Sequence, residues 1–167
     1  MLDALDRQIL QALQTDGRKS NADLARALGV APSTMLERIR RLEERGVLKS
    51  YRAVLDPAAL GLTIQAFVSV SLDRHDTAYI ERFESGVQAI EEVVAAYHLT
   101  GRLDYMLHVS ARDLPHLGEI IKSRIASIGG VGKVETFLVL SEIKPAGGWP
   151  LEAAANGPSP VLPSRGA

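Results

Sequence analysis

Residues 20–46 contain two short helical patterns that meet at a tight corner. In the first pattern Leu24 and Leu28 recur at helical spacing before Gly29 interrupts it. Pro32 suits the first turn of a second helix, because that position needs no backbone N–H. Such a pattern is typical of a helix-turn-helix, in which two helices are joined by a short turn that contains glycine. This motif constrains the fold of the N-terminal part of the chain.

The second helix carries short polar side chains at its start and basic side chains behind them. Ser33 and Thr34 fall near its N-terminus. The basic residues that follow are Arg38, Arg40, Arg41 and Arg45. A recognition helix has this layout, with small polar groups for base edges and basic groups for phosphates. The alternative is a solvated helix whose arginines pair with nearby glutamates. The glycine corner and the proline start favour DNA.

A further helix is predicted before this pair and a strand after it. The helix covers residues 3–15, and the three helices can bury one small core. The predicted core residues are Leu5, Ile9, Leu13, Leu24, Leu28, Ile39 and Leu42. Residues 47–54 are rich in strand-forming side chains, which predicts a winged variant of the motif. Lys49 and Arg52 in this strand are candidates for phosphate contact or are simply solvated.

Composition limits the classes of protein to which the chain can belong. There is no cysteine, which excludes a disulfide scaffold and a thiolate site. No apolar run approaches a membrane span, and the acidic N-terminus carries no signal peptide, so we expect a cytoplasmic protein. The net charge is −1, but it is divided unevenly. Residues 1–55 carry a net +3 and residues 56–167 a net −4, which suggests a basic binding module joined to an acidic one.

The remainder of the chain predicts a linker, a second module and a tail. Proline and glycine mark residues 56–63 as a hinge between a DNA-binding domain, 1–55, and a domain at 64–144. The elements predicted in that domain are strand 64–72, helix 77–88, strand 92–99, strand 103–110, helix 113–127 and strand 131–143. Residues 145–167 are rich in proline and glycine and are predicted to be largely disordered.

The order β-α-β-β-α-β predicts a ferredoxin-like domain, so the whole chain is of the α+β class. An antiparallel sheet with both helices on one face leaves the other face uncovered. A partner subunit is a common source of cover, and we therefore expect an obligate dimer through this domain. The histidines show no metal-ligand spacing, although His98 and His108 fall on neighbouring predicted strands. No nucleophile–base pair is evident, so no catalytic residue, metal site or cofactor is predicted.

With both modules laid out, the chain resembles the Lrp/AsnC family of transcriptional regulators, also called feast/famine proteins. The resemblance runs from about Leu2 to Pro150. Its N-terminal motifs are Leu2-Asp3-x-x-Asp6-x-x-Ile9-Leu10, Asp16-Gly17-Arg18, Leu24-Ala25, Arg38-x-x-x-Leu42-Glu43-x-x-Gly46-Val47-Leu48 and Tyr51-x-Ala53. Its C-terminal motifs are Thr100-Gly101-Arg102-Leu103-Asp104-Tyr105, Gly130-Val131 with Thr136, and Glu142-Ile143-Lys144. One departure is Ala31, where many members have a serine or threonine before Pro32.

The resemblance implies a DNA-binding domain followed by an effector-binding domain. Dimers of the family typically assemble further, often into octamers, and amino acids or related molecules bind between dimers. In the family a Gly-x-x-Asp turn contacts the ligand. Carried over, the effector-binding residues are Thr100, Gly101, Arg102, Asp104 and, on the last strand, Thr136. A glycine turn exposes backbone N–H groups suited to a carboxylate. Without the family, these residues favour a plain hairpin turn capped by Asp104.

Two functions remain open at this point. The first is a transcriptional regulator that binds double-stranded DNA and responds to a small molecule, most simply an amino acid. The second is a small enzyme or a sensing module whose N-terminal helices only dimerise. Salt-sensitive DNA binding without substrate turnover would favour the regulator.

Overall fold

The computed structural model describes residues 2–151. These residues divide into two compact units, one formed by residues 2–54 with 144–151 and the other by residues 55–143. Among the described residues, no helix is both long enough and apolar enough to cross a membrane.

The first unit contains three helices: α1 (Ala4–Thr15), α2 (Asn21–Leu28) and α3 (Pro32–Glu44). Helix α2 begins at a Ser20 cap and ends at Gly29, which has a left-handed φ of 67°. Pro32 is the first residue of α3, as its missing N–H predicts. Ala31 gives α3 no side-chain cap, so the departure noted in the sequence leaves the start of this helix uncapped.

The three helices bury one apolar core, as predicted. Its buried members are Ile9, Leu10, Leu13, Leu24, Ala25, Met35, Ile39 and Leu42. Leu5 and Leu28, which were also predicted, are only partly buried at its margin. Burial of one aliphatic side chain of this size stabilises the fold by roughly 1.5–3 kcal/mol. The cluster is therefore the main source of hydrophobic stabilisation in this small unit.

The strand predicted for residues 47–54 does not form, and the predicted wing is wrong. The segment has no regular secondary structure. Leu48 packs on the helical core, whereas Val54 is 97% exposed. A strand needs a neighbour for its backbone N–H and C=O groups. The described part of this unit offers none, so strand-forming side chains alone are insufficient.

The second unit has the predicted β-α-β-β-α-β order. Its strands are β1 (Ile64–Leu72), β2 (Val93–His98), β3 (Tyr105–Ala111) and β4 (Val131–Leu138). They form one antiparallel sheet in the order β2-β3-β1-β4. Helix α4 spans Thr77–Gln88, and α5 spans Leu114–Glu119.

Both helices cover the same face of the sheet. Alternate residues of β1 are buried against them, and these residues are Ala66, Val68, Val70 and Leu72. The helices contribute Phe83 and Val87 from α4 and Leu117 from α5. The opposite face exposes aromatic side chains: Phe67 is 40% exposed, Tyr97 56% and Phe137 51%. Phe67, which interrupts the alternation of the sequence, therefore belongs to the uncovered face.

Two elements of the second unit differ from the prediction by more than two residues, whereas the ends of the others agree to within two. The helix predicted for residues 113–127 is divided, because α5 continues into a π-helix at Ile120–Ile125. The strand predicted for 131–143 ends at Leu138, which pairs with Ala66 near the start of β1. An edge strand extends only as far as its partner, so apolar side chains beyond that point stay exposed.

The chain after β4 returns to the helical unit. The side-chain amide of Gln14 on α1 donates to the Trp149 carbonyl at 3.1 Å and accepts from the Trp149 N–H. Leu151 packs against the helical core. Most of the tail from residue 145 is predicted to be disordered, but residues 149–151 contact the helical unit through the Gln14 side chain and the core packing of Leu151. The rest of the predicted tail, 152–167, lies outside the described residues.

Candidate DNA interface and effector site

The N-terminal end of α3 presents the residues predicted to read DNA. Ser33 and Thr34 are exposed in its first turn. With Glu37, Arg38 and Arg41 they line a shallow depression on one side of the helix. Backbone N–H groups without helical partners also point outward at this end, and the helix dipole makes the end attractive to phosphate.

The four arginines of the predicted basic face have different surroundings. Arg40 pairs with Glu44 at 2.8 Å, and Arg41 lies 3.5 Å from Glu37. Both pairs are exposed, and such pairs contribute little in water, so phosphate can replace the carboxylates. Arg45 makes no ion pair within residues 2–151 and is exposed.

Arg38 is held inside its own unit. Its guanidinium donates to Asp3 and to Asp6, the latter at 2.7 Å. These two carboxylates also form the capping box of α1, in which each side chain accepts from the backbone N–H of the other residue. Hydrogen bonds to Asp3 and Asp6 raise the pKa of Arg38, and its side chain is only 25% exposed. Arg38 therefore connects the start of α1 to α3, a role that its place in the arginine pattern did not reveal.

The predicted basic residues beyond α3 lie on the irregular segment after the helix. Lys49 and Arg52 are both exposed. Tyr51, between them, donates from its hydroxyl to Glu43 at 3.2 Å. This bond ties the segment to the end of α3, so the two cations remain near that helix although the segment forms no strand.

The predicted effector turn connects β2 to β3. The Leu99 N–H donates to the Asp104 carbonyl at 2.7 Å, which closes the turn. Gly101 has a φ of +124°, a conformation that side chains disfavour. Thr100, Gly101 and Arg102 are exposed, so backbone N–H groups and one cation lie at the surface.

Asp104 anchors this turn to β1. One carboxylate oxygen accepts from the Leu72 N–H at 2.7 Å, and the other lies 2.9 Å from His75 Nε2. The Leu72 hydrogen bond, and then the one from His75, lower the pKa of Asp104, so the carboxylate is ionised at neutral pH. Each oxygen retains a second lone pair that can accept from an ammonium group.

Two sets of residues that the sequence grouped are separated in the sheet. Thr136 lies on β4 opposite Val68, so β1 stands between it and the strand that follows the effector turn. His98 pairs with Tyr105 and His108 with Ala95, which places the two histidines on opposite faces of the sheet. The described residues contain no group of three His, Asp or Glu side chains that could hold a metal ion.

Comparison with known proteins gives both units a family. Residues 2–43 match the model of the AsnC-type helix-turn-helix domain, and residues 65–149 match that of the Lrp/AsnC ligand binding domain. The leucine-responsive regulatory protein of Klebsiella pneumoniae is 36% identical over 143 residues, covering 86% of this chain and 87% of that protein. Its counterpart in Escherichia coli K12 is 35% identical over the same length.

Solved structures agree with the sequence relatives. A transcriptional regulator from Neisseria meningitidis, crystallised as a complex with L-methionine, has a TM-score of 0.87 and 34% identity, covering 92% of this chain and 99% of that one. AsnC from E. coli has a TM-score of 0.79 and 28% identity, covering 86% and 95%. The matched domains belong to transcription regulators, so the alternative of a small enzyme does not hold. The chain belongs to the Lrp/AsnC family of DNA-binding transcriptional regulators.

Proposed function

We propose that this regulator reads DNA with the N-terminal end of α3 and that an amino acid controls its assembly or its affinity for DNA. The observation that carries the proposal is the exposed Ser33–Thr34 turn with arginines behind it, in one chain with a ligand-binding domain. A DNA-binding regulator acts where the chromosome is, so the proposed location is the cytoplasm.

In this proposal α3 enters the major groove. Ser33 and Thr34 contact base edges. Glu37 lies beside them, and its carboxylate can accept a hydrogen bond from the N4 amino group of cytosine. The basic residues contact phosphate and supply affinity without sequence preference. The proposed phosphate contacts are Arg40, Arg41, Arg45, Lys49 and Arg52. Arg38, which the sequence pattern also predicted to contact phosphate, instead holds α3 against Asp3 and Asp6 in this proposal.

The proposed effector site is the turn from Thr100 to Asp104. Its free N–H groups and Arg102 suit a carboxylate, and the ionised Asp104 suits an ammonium, so the turn complements both ends of an amino acid. The L-methionine complex of the Neisseria relative supports this class of ligand. Thr136 joins the proposed site only if a second subunit supplies it, because β1 separates it from the turn of its own chain.

The proposed assembly is a dimer through the uncovered sheet face, with further association into an octamer or a similar oligomer. Three exposed aromatic side chains lie on this face, and Phe67 stacks on His108 with ring centroids 5.0 Å apart. Apolar surface of this kind is typical of obligate interfaces. The domain 62–144 alone should sediment as a dimer or larger, and a stable monomer would contradict the assembly.

Fluorescence anisotropy with DNA from upstream of the gene tests the DNA interface. Arg41→Ala and Arg45→Ala should each weaken binding to every sequence and lower the salt slope by about one unit. Ser33→Ala and Thr34→Ala should instead relax sequence preference, by roughly 1–3 kcal/mol at a base that they contact. Lys122→Ala in the other unit is the matched control. If a variant that combines Arg41→Ala and Arg45→Ala binds DNA as tightly as Lys122→Ala, these arginines are only solvated and do not contact DNA.

A further inference from the structure

One large apolar side chain is exposed on α3, a helix whose residues the structure describes in full. Leu36 is 56% exposed. The other large apolar side chains of this helix, Met35, Ile39 and Leu42, are at most 4% exposed. Leu36 also lies outside the apolar core of the helical unit and outside its partly buried margin. Its side chain therefore adds little to the packing of this unit and is free to contact another molecule.

The position of Leu36 in α3 places it among the groups proposed to contact DNA. Four exposed residues share one face of the helix at the spacing i, i+3, i+4 and i+7, and they are Ser33, Leu36, Glu37 and Arg40. The buried residues of α3 form a separate stripe that faces the core. A single exposed leucine is common on a helix surface. Its place between proposed DNA contacts, rather than its exposure, is what indicates a role.

Leu36 lies one turn further along α3 than Ser33. Three residues correspond to about 4.5 Å along a helix axis. Successive base pairs are about 3.4 Å apart. In helices of this motif the N-terminal residues contact base edges. A helix that brings Ser33 to one base edge therefore brings Leu36 within reach of a neighbouring base pair.

The chemistry of the leucine side chain limits what it can contact in the major groove. Base edges there present hydrogen-bond donors and acceptors, and the C5-methyl group of thymine is the apolar exception. Leucine forms no hydrogen bond, so against the other base edges it would leave polar groups without partners. Against a methyl group it removes apolar surface from water on both sides. Leu36 therefore suits thymine better than any other base.

We propose that Leu36 contributes to sequence recognition by packing on the C5-methyl group of a thymine. The contact favours a T·A pair next to the base that Ser33 contacts, and it adds an apolar contact to the hydrogen bonds proposed for Thr34 and Glu37. The inference rests on the proposed function, because it requires α3 in the major groove. It specifies one base that this helix selects.

Replacement of thymine by uracil in DNA from upstream of the gene tests the contact, because uracil pairs with adenine through the same groups and lacks only the methyl group. In fluorescence anisotropy with the full chain, the wild type should bind uracil DNA about fourfold more weakly for each thymine contacted, the factor expected for burial of one methyl group. Leu36→Ala should bind both DNAs with nearly the same Kd. Leu36→Met, which keeps an apolar side chain of similar volume, should retain most of the difference.

Leu114→Ala is the matched control, because Leu114 is 55% exposed and lies at the start of α5 in the other unit. It should prefer thymine DNA to the same extent as the wild type. Any effect of uracil on the shape of the DNA is common to all variants, so a loss of preference in Leu36→Ala alone measures the contact. Alanine suits an exposed helical position, so this variant should keep the stability of the helical unit in urea.

Leu36→Gln tests which base pair is contacted. Glutamine can hydrogen-bond to both N6 and N7 of adenine, so selection from a randomised DNA library should exchange thymine for adenine at one position of the preferred sequence. Three results would overturn the proposal: equal binding of the wild type to both DNAs, an equal loss on uracil DNA in Leu36→Ala, or an unchanged selected sequence in Leu36→Gln. The proposed DNA interface would survive each of them. It fails, and this inference with it, if the wild type selects no preferred sequence at all.

Discussion

Alanine substitution at two glycines of the second unit should change its stability in opposite directions. At both positions an added Cβ meets no atom within 4 Å, so packing does not contribute. Gly101 has a φ of +124°, whereas Gly118 lies in α5 with an ordinary helical φ. A comparison of the two substitutions therefore measures how the backbone conformation affects stability, without a contribution from packing.

The expected magnitudes follow from that difference. A side chain at a left-handed φ costs about 1–2 kcal/mol, and the reduced freedom of the unfolded chain returns roughly 0.4–1 kcal/mol. Gly101→Ala should therefore destabilise the unit by about 1 kcal/mol, while Gly118→Ala should stabilise it by roughly 0.5–1 kcal/mol. The equilibrium constant for opening of the sheet should therefore be larger in Gly101→Ala than in Gly118→Ala by roughly tenfold or more.

Native-state hydrogen exchange of peptides from β3 measures this opening constant for the second unit alone. The reasoning also predicts that Gly101→Ala raises the Kd for the effector, because the turn must keep its backbone N–H groups in place. An unchanged or higher stability for Gly101→Ala, with Gly118→Ala as the reference, would refute the assigned strain.

Three further predictions concern individual contacts. Arg38→Ala should destabilise the helical unit in urea, because it leaves the Asp6 carboxylate without its guanidinium, whereas Arg41→Ala should not. The pKa of Asp104 is lowered in the folded protein, so its ionised carboxylate stabilises the fold at pH values above its ordinary pKa of 3.8. This stabilisation is lost as the pH falls below that value, and the stability of Asp104→Asn should therefore depend less on pH in acid. Gly148→Ala should displace the flexible end of the Gln14 side chain, which would lie 2.7 Å from the new Cβ, so the helical unit should lose only the Gln14–Trp149 hydrogen bonds and the Trp149 fluorescence transition in urea should move only slightly to lower concentration.

Much of the fold follows from local signals in the sequence. The helix-turn-helix was predictable because Ser20, Gly29 and Pro32 mark helix ends through their own backbone chemistry. The β-α-β-β-α-β order followed from hydrophobic periods, which change from two in the strands to about 3.6 in the helices. Such signals act within a few residues, so they fix the type and order of the elements.

The features that sequence reasoning missed depend on residues far apart in the chain. Arg38 meets Asp6, 32 positions earlier, and Trp149 meets Gln14, 135 positions earlier. The absent wing has the same origin, since residues 47–54 have strand propensity but find no partner strand within residues 2–151. The end of β4 likewise depends on its pairing with β1, since Leu138 lies opposite Ala66 near the start of that strand. Long-range pairing decides each case, and no local pattern encodes it.

At the candidate sites, the sequence predicted which elements carry the candidate residues, but not which groups those residues contact. The turn at Gly101 and the exposed start of α3 lie where the motifs placed them. The partners of Asp104 on β1 were not visible, because the sequence does not show that the Leu72 N–H points to this carboxylate. The capping box of Asp3 and Asp6 was visible in principle, as acidic residues three positions apart at a helix start.

The central claim is that an amino acid bound at the Thr100–Asp104 turn controls DNA binding. The most direct test measures the Kd for DNA with and without a saturating effector, identified by calorimetric titration of the amino acids, in the wild type and in Asp104→Ala. The account predicts a change of roughly 5–150-fold in the wild type, the range of typical couplings, and no change in Asp104→Ala, whose ligand-free Kd stays near that of the wild type. An equal response in both proteins would contradict it.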